Sequence, residues 1–167
     1  MDTHATSPTP LALGWREWVR LPALGIPAIR AKLDTGARSS ALHVVRLESF
    51  ERGGRRWVRF AVDPDPDTPD RVLEAETRIH DERLVRASSG HEERRLVIRT
   101  KLEIDGRAWE IDLTLASREM MRFRMLIGRE ALRGRAVVDP ARSYVAPHPT
   151  GDRRWRERVT LSDGEEE

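Results

Sequence analysis

The chain has 167 residues, with 30 Lys and Arg against 28 Asp and Glu, and it contains no Cys. This length fits one domain, and the absence of Cys excludes a disulfide scaffold, a thiol nucleophile and a Cys-ligated metal site. Basic and acidic residues alternate instead of forming a basic stripe, so we expect no nucleic-acid partner. No apolar run has membrane-spanning length and no secretory leader is visible, so we expect a cytoplasmic protein without membrane contact.

Composition divides the chain into a folded middle and two polar ends. Residues 1–10 are rich in Pro, Ser and Thr, which predicts a flexible N-terminal tail. Residues 148–167 are polar and end in Glu, which predicts a mobile C-terminal tail with Trp155 as an anchor. We therefore expect one folded domain over residues 11–147.

The first predicted elements of this domain are strands, because apolar residues recur at every second position. Alternation from Ile29 to Leu33 predicts a strand that leads into Asp34. The apolar and β-branched residues 42–47 predict a second strand, and alternation over residues 57–62 predicts a third.

The clearest strand signal is a hairpin in the second half of the chain. Residues 96–104 place Leu, Ile and Thr on one face and mostly charged residues on the other. Asp105-Gly106 then provides a turn, since Gly adopts positive φ without strain. Residues 109–115 alternate in the same way and predict the returning strand.

The last predicted elements are short. Residues 129–133 predict one helical turn that Gly134 ends, and residues 136–138 and 143–145 predict strands on either side of Pro140. Many short strands separated by turns, with little helix, predict an all-β barrel or sandwich.

One stretch carries a chemical signal, because Asp34, Thr35 and Gly36 directly follow an apolar strand. This position places a carboxylate where the chain must turn, and Gly36 permits the turn and the close approach of a second backbone. We expect the Thr35 hydroxyl to form a hydrogen bond across the turn. We also expect Ser39 and Ser40 to donate hydrogen bonds to the Asp34 carboxylate. The alternative is an ordinary Asx turn at the end of a strand.

A second segment follows far downstream, where Ile127-Gly128 precedes the predicted helical turn. In this order of motifs the chain resembles the retropepsin-like aspartic proteases. That family has an apolar residue before Asp-Thr-Gly-Ala/Ser, then a flap hairpin containing Gly, and then an apolar-apolar-Gly segment ahead of a short helix.

The resemblance can be narrowed to the bacterial RimB-type domain, once labelled a putative ATP-dependent zinc protease. Residues 31–43, 86–94 and 122–132 are similar to that family, and the likeness extends over Leu13 to Pro147. It implies an all-β fold, a retropepsin-like closed β-barrel with one short C-terminal helix. It also implies an aspartic endopeptidase that needs no cofactor.

The resemblance implies a role for each residue of the two motifs. Asp34, Thr35 and Gly36 are the expected catalytic residues, with Asp34 activating water. The residues expected to support them are Ala37, Ser39, Ile127 and Gly128. Aspartic proteolysis needs two carboxylates that share a proton, and this chain has one Asp-Thr-Gly. We therefore expect a homodimer in which each copy supplies one Asp34.

A flap is expected between Arg78 and Ile98, although the same residues also fit a plain exposed hairpin. Its tip is expected at Ser88, Ser89 and Gly90. The residues expected to bind substrate beside this tip are Arg86, Arg94 and Arg38. Relatives are associated with ligases that add glutamates to a ribosomal protein, so an acidic or glutamylated peptide is the expected substrate. Internal pairing of these arginines with Glu82, Glu92 or Glu93 is the alternative.

Two other functions stay open at this point. The barrel could bind acidic peptides without cleaving them and retain Asp34 only for structure. It could also be a zinc peptidase, with His43, His91 and Glu92 meeting in space, although their spacing lacks the His-Glu-x-x-His pattern. No phosphate-binding loop is present, so ATP is not an expected cofactor.

Overall fold

The computed structural model describes residues 9–65, 71–86, 90–117 and 123–151. Within these ranges the chain forms twelve strands and one α-helix, α1 (Arg129–Leu132). The strands are β1 (Leu11–Gly14), β2 (Arg16–Leu21), β3 (Ile26–Asp34), β4 (Ser40–His43), β5 (Arg46–Arg52), β6 (Arg55–Val62), β7 (Leu73–Arg78), β8 (Asp81–Arg86), β9 (Glu92–Ile104), β10 (Arg107–Ala116), β11 (Met125–Gly128) and β12 (Ala136–Asp139). Most of both predicted tails, including Trp155, lies outside the described residues.

A closed barrel forms the centre of the molecule. Six strands are hydrogen-bonded in the order β10, β4, β11, β3, β2, β9, and pairing of β9 with β10 closes the ring. Its core contains fully buried aliphatic side chains: Ile29, Leu42, Ile98, Leu102, Leu113, Met125 and Ile127. The predicted all-β closed barrel with one short C-terminal helix is therefore confirmed.

Three further groups of strands surround this barrel. The strand β8 pairs with β9 along residues 81–86 and extends the sheet beyond the ring as one arm of a hairpin. The strands β5, β6 and β7 form a separate antiparallel sheet, and β1 pairs in parallel with β12. No helix in the described ranges is both long and apolar enough to cross a membrane.

The predicted hairpin of β9 and β10 is confirmed. Its turn consists of Asp105 and Gly106, both at positive φ, and Leu102 lies opposite Trp109 on the buried face. Val97 differs from the expectation of an exposed second face, because it is fully buried. It lies between two flanking strands, opposite Thr114 on β10 and Asp81 on β8.

Two predicted strands differ from the structure. Residues 42–47 do not form one strand, since β4 belongs to the barrel and β5 pairs with β6 in a different sheet. Residues 143–145 form no strand, because Tyr144 has a positive φ of 51° that interrupts an extended chain. The strands predicted at 29–33, 57–62 and 136–138 and the helical turn at 129–133 are confirmed.

Candidate active site

Asp34 ends the strand β3 and is the first residue of the site. The strand reaches this point through buried Ala31 and Leu33, and it pairs in parallel with β11 so that Asp34 lies beside Gly128. Asp34 is half-buried, whereas Thr35 and Gly36 are exposed. The strand therefore fixes the backbone of Asp34 while its carboxylate remains accessible.

Local hydrogen bonds shape the turn that follows. The Gly36 N–H donates to Asp34 Oδ1 at 3.0 Å, and the Ala37 N–H donates to the Asp34 carbonyl at 3.1 Å. The expectation that Ser39 and Ser40 donate to the carboxylate is wrong for this chain. Ser40 Oγ instead accepts a hydrogen bond from the Gly128 N–H at 3.1 Å, which fastens β4 to β11.

Gly128 permits this loop to pack closely on β11. A Cβ atom at this position would lie 2.6 Å from the carbonyl oxygen of Ser39 and 2.8 Å from that of Arg38. Real Cβ atoms do not approach backbone so closely, and Ile127 beside Gly128 is fully buried. The predicted supporting residues Ala37, Ser39, Ile127 and Gly128 are thus brought together behind the Asp34 turn.

The helix α1 fastens the other side of the loop. The Arg129 N–H donates to the Ala37 carbonyl at 2.8 Å, and the Arg129 guanidinium donates to the Gly36 carbonyl at 3.2 Å. Arg38 Nε donates to Glu130 Oε1 at 2.8 Å, and this contact lowers the pKa of the Glu130 carboxyl. Sequence reasoning proposed other glutamates for the arginines and missed Glu130.

The predicted flap corresponds to the hairpin of β8 and β9, whose tip includes Gly90 at a φ of 86°. Ser88 and Ser89 lie outside the described residues. Arg86 and Arg94 are both exposed. Side chains alternate between the two faces of a strand, and the register of β8 with β9 places both arginines on the face that continues into the barrel interior. They therefore share the inner face of the hairpin.

Leu84 belongs to the same face and was not predicted. It lies opposite Arg94, and 64% of its surface is exposed. A large and exposed apolar side chain on this face is a candidate contact for a ligand. The signal available in the sequence was a Leu with Glu82 and Arg86 two positions away on either side, which places charged residues beside it on the same strand face.

The histidines of the zinc alternative occupy different environments. His43 is buried at the end of β4, and burial, assisted by the nearby Arg124 charge, lowers its pKa despite the opposing effect of Asp63. His91 and Glu92 are exposed at the hairpin. Among the residues described, no group of three or more His, Asp or Glu side chains is placed to hold a metal ion.

A cleft of about 460 Å³ opens beside the Asp34 loop, residues 34–39. Its walls include Ser39 from the loop, Glu130 from α1, and Asp112 from β10. Four arginines from β8, β9 and the connection between α1 and β12 also line it, and we call it the arginine cleft: Arg83, Arg99, Arg133 and Arg135. Sequence reasoning missed it, because only the closed barrel brings these elements together.

Two comparisons with curated proteins place the chain among larger relatives. It is 42% identical over 132 residues to a "Probable alpha-L-glutamate ligase" of Shewanella pealeana, and 44% identical over 129 residues to a protein of that name from Desulfotalea psychrophila. These matches include 79% and 77% of this chain. The chain spans only 29% and 28% of the two relatives.

A solved structure gives the same fold. The Legionella pneumophila protein Lpg0085, described as having unknown function, is similar with a TM-score of 0.68 and 25% sequence identity. The likeness covers 82% of this chain and 98% of that one. A family model described as "Retropepsin-like aspartic endopeptidase RimB" matches residues 12–149, which include the Asp34 loop, the hairpin and α1. The chain therefore belongs to the RimB-like family of retropepsin-like domains.

Proposed function

We propose that the protein is a homodimeric aspartic endopeptidase whose active site contains Asp34 from each of two copies. The observation that carries this proposal is the Asp34 turn, which β11 and α1 hold from behind while Thr35 and Gly36 stay exposed. An exposed loop that is hydrogen-bonded from behind in this way is suited to meet its symmetry mate. A two-fold axis then supplies the second carboxylate.

The chemistry follows from the closeness of two like charges. Two neighbouring carboxylates do not both ionise readily, so the pair shares a proton and its two apparent pKa values separate. The ionised Asp34 accepts a proton from water, whose oxygen attacks the carbonyl carbon of the peptide. The protonated Asp34 donates to the carbonyl oxygen, and proton transfer to the amide nitrogen allows the C–N bond to break.

The proposed substrate is a peptide rich in glutamate. Relatives are named glutamate ligases, and a peptidase domain within or beside such a ligase would act on its acidic products. The inner face of the hairpin presents Arg86 and Arg94 to an extended peptide, and a guanidinium can bind a carboxylate through two hydrogen bonds. Leu84 adds an apolar contact on that face.

The test is cleavage of synthetic glutamate-rich peptides by the purified chain, followed by mass spectrometry. Asp34→Asn should lower kcat by about 10²–10⁴-fold, because it removes the groups that transfer protons. Asp105→Asn is the matched control, since Asp105 occupies the β9–β10 turn with a positive φ that Asn tolerates. Equal cleavage by the Asp34→Asn chain would contradict the proposal.

The same assay separates the two alternatives. Binding of the peptides by the parent chain without cleavage between acidic and neutral pH would favour a non-catalytic binding module. Inhibition by a metal chelator, with no effect of a transition-state analogue of aspartic peptidases, would favour zinc chemistry. The proposal requires the opposite inhibitor pattern, because its water is activated by carboxylates alone.

A further inference from the structure

We propose that the arginine cleft is a second binding site, which holds the carboxylates of a substrate peptide at a distance from the scissile bond. This inference rests on the proposed function and adds the place where acidic side chains are recognised. The cleft is lined by Ser39 from the Asp34 loop and by Arg83 from the hairpin. A peptide that leaves the active site along this path would enter the cleft.

Two of the three carboxylates that line the cleft, Asp112 and Glu130, are matched to other groups, and the third, Glu110, is exposed on β10. Asp112 accepts hydrogen bonds from Arg83 and Arg99, each at 3.2 Å. Glu130 is bound by Arg38 at 2.8 Å, outside the set of four arginines. Asp112 and Glu130 are therefore engaged by arginines, and Glu110 alone opposes the two remaining arginines, whose positive charge exceeds it.

Arg133 and Arg135 are the arginines left for a ligand. Both are exposed, and neither forms an ion pair with a carboxylate of the described residues. The Arg135 guanidinium lies 5.6 Å from the centre of the Trp109 ring, which limits its motion. The Trp109 indole is itself fixed by a 2.9 Å hydrogen bond from Nε1 to the Ala131 carbonyl.

The geometry favours carboxylates on a chain over a single small anion. The two unpaired arginines follow α1, Arg83 lies on β8 and Arg99 on β9, so positive groups line a cleft of about 460 Å³. Successive glutamate side chains can reach separate guanidiniums, and each contact is a charge-assisted hydrogen bond. The cleft thus selects glutamate-rich peptides by a run of carboxylates instead of one residue.

The first test is direct binding, which does not depend on cleavage. Fluorescence anisotropy with a labelled hexaglutamate peptide compares the full-length parent with the Arg133→Gln/Arg135→Gln chain. We expect the variant to bind about tenfold more weakly. The matched control is Arg55→Gln/Arg71→Gln, which removes the same charge from exposed residues near the β5–β7 sheet and should bind like the parent. An equal loss of hexaglutamate affinity in both double variants would overturn the proposal.

The second test uses cleavage and distinguishes the two proposals. If the parent is a peptidase, Arg133→Gln/Arg135→Gln should lower kcat/KM about tenfold for a peptide extended with glutamates. It should leave cleavage of the unextended peptide unchanged, because these arginines do not contact the scissile bond. If the double variant binds hexaglutamate more weakly but the parent cleaves no peptide, the proposed peptidase activity is refuted. The proposed binding site in the arginine cleft is then still supported.

Folding and ligand class are checked in the same series. Circular dichroism should show the parent's thermal transition for both double variants, and single Arg133→Gln provides a milder change if it does not. Single-stranded RNA of equal length is the competing anion. Stronger binding of RNA than of hexaglutamate, lost in the Arg133→Gln/Arg135→Gln chain, would overturn the assignment to acidic peptides.

Discussion

At the scale of single residues, Gly128 determines how closely the Asp34 loop packs on the barrel. Gly128→Ala should lower the free energy of unfolding by about 1–3 kcal/mol, because its Cβ would lie 2.6 Å from the Ser39 carbonyl oxygen. Urea unfolding measures this loss. Ala108→Val is the control, since it adds volume at an exposed position of β10. A Gly128→Ala chain as stable as the parent would show that the loop moves without cost.

Glu17 is a second residue with a measurable signature. It is fully buried, and its carboxylate accepts hydrogen bonds from the N–H groups of Gly14, Val145 and Ala146 at 2.7 to 3.0 Å. Burial raises the pKa of Glu17 above its usual 4.5, although these hydrogen bonds oppose the shift. The carboxylate thereby ties the segment after β12 to the β1–β2 turn.

This raised pKa predicts the direction of a pH effect. The folded state binds the proton more tightly than the unfolded state, so the contribution of Glu17 is full below pH 4.5 and is lost as pH rises through the folded pKa. The free energy of unfolding of the parent should therefore fall relative to Glu17→Gln over that range. Urea unfolding of both chains at a series of pH values tests this prediction. A parent that gains stability relative to Glu17→Gln as the pH rises would contradict it.

At the scale of elements, the hairpin of β8 and β9 should contribute to catalysis more than to stability. Leu84→Ser should change the free energy of unfolding by less than about 0.5 kcal/mol, because the side chain is 64% exposed. It should lower kcat/KM about fivefold to tenfold if Leu84 contacts the peptide.

The control for the hairpin is Leu47→Ser on β5, where Leu47 is 44% exposed in a different sheet. Unfolding and peptide cleavage are measured for both variants. A loss of kcat/KM that is the same in the two chains would remove Leu84 from the proposed contact. A large loss of stability in Leu84→Ser alone would assign it a structural role.

Local patterns in the sequence were sufficient to predict elements whose partner strands lie close along the chain. The alternation over residues 96–104 and the Asp105-Gly106 turn predicted a hairpin, because its two strands are neighbours in sequence. The strand that ends at Asp34 was predicted from the alternation of apolar residues from Ile29 to Leu33 alone, without its partner strands. Residues 42–47 were misassigned, since their hydrophobicity does not reveal that two sheets divide them.

Contacts between segments that are distant along the chain could not be predicted from the sequence. The pairing of Arg38 with Glu130 and the burial of Glu17 depend on α1 and the segment after β12 folding back onto the start of the chain. No local pattern indicates such contacts. The arginine cleft was missed for the same reason, because its four arginines belong to elements that only the closed barrel brings together.

At the scale of the whole molecule, the proposed shared active site makes activity depend on two chains. Specific activity should rise with concentration as the proposed dimer forms, because a single copy presents one Asp34. Light scattering and cleavage rates, measured over the same dilution series, should show the same midpoint. A constant specific activity in a particle of monomer mass would contradict this dependence.

The most direct measurement refolds the parent together with the Asp34→Asn chain in known ratios and follows cleavage of a glutamate-rich peptide. If each active site needs both carboxylates, activity falls as the square of the parent fraction, to about one quarter in an equal mixture. Activity that falls only in proportion, to about one half, would show that one Asp34 is sufficient and would contradict the shared site.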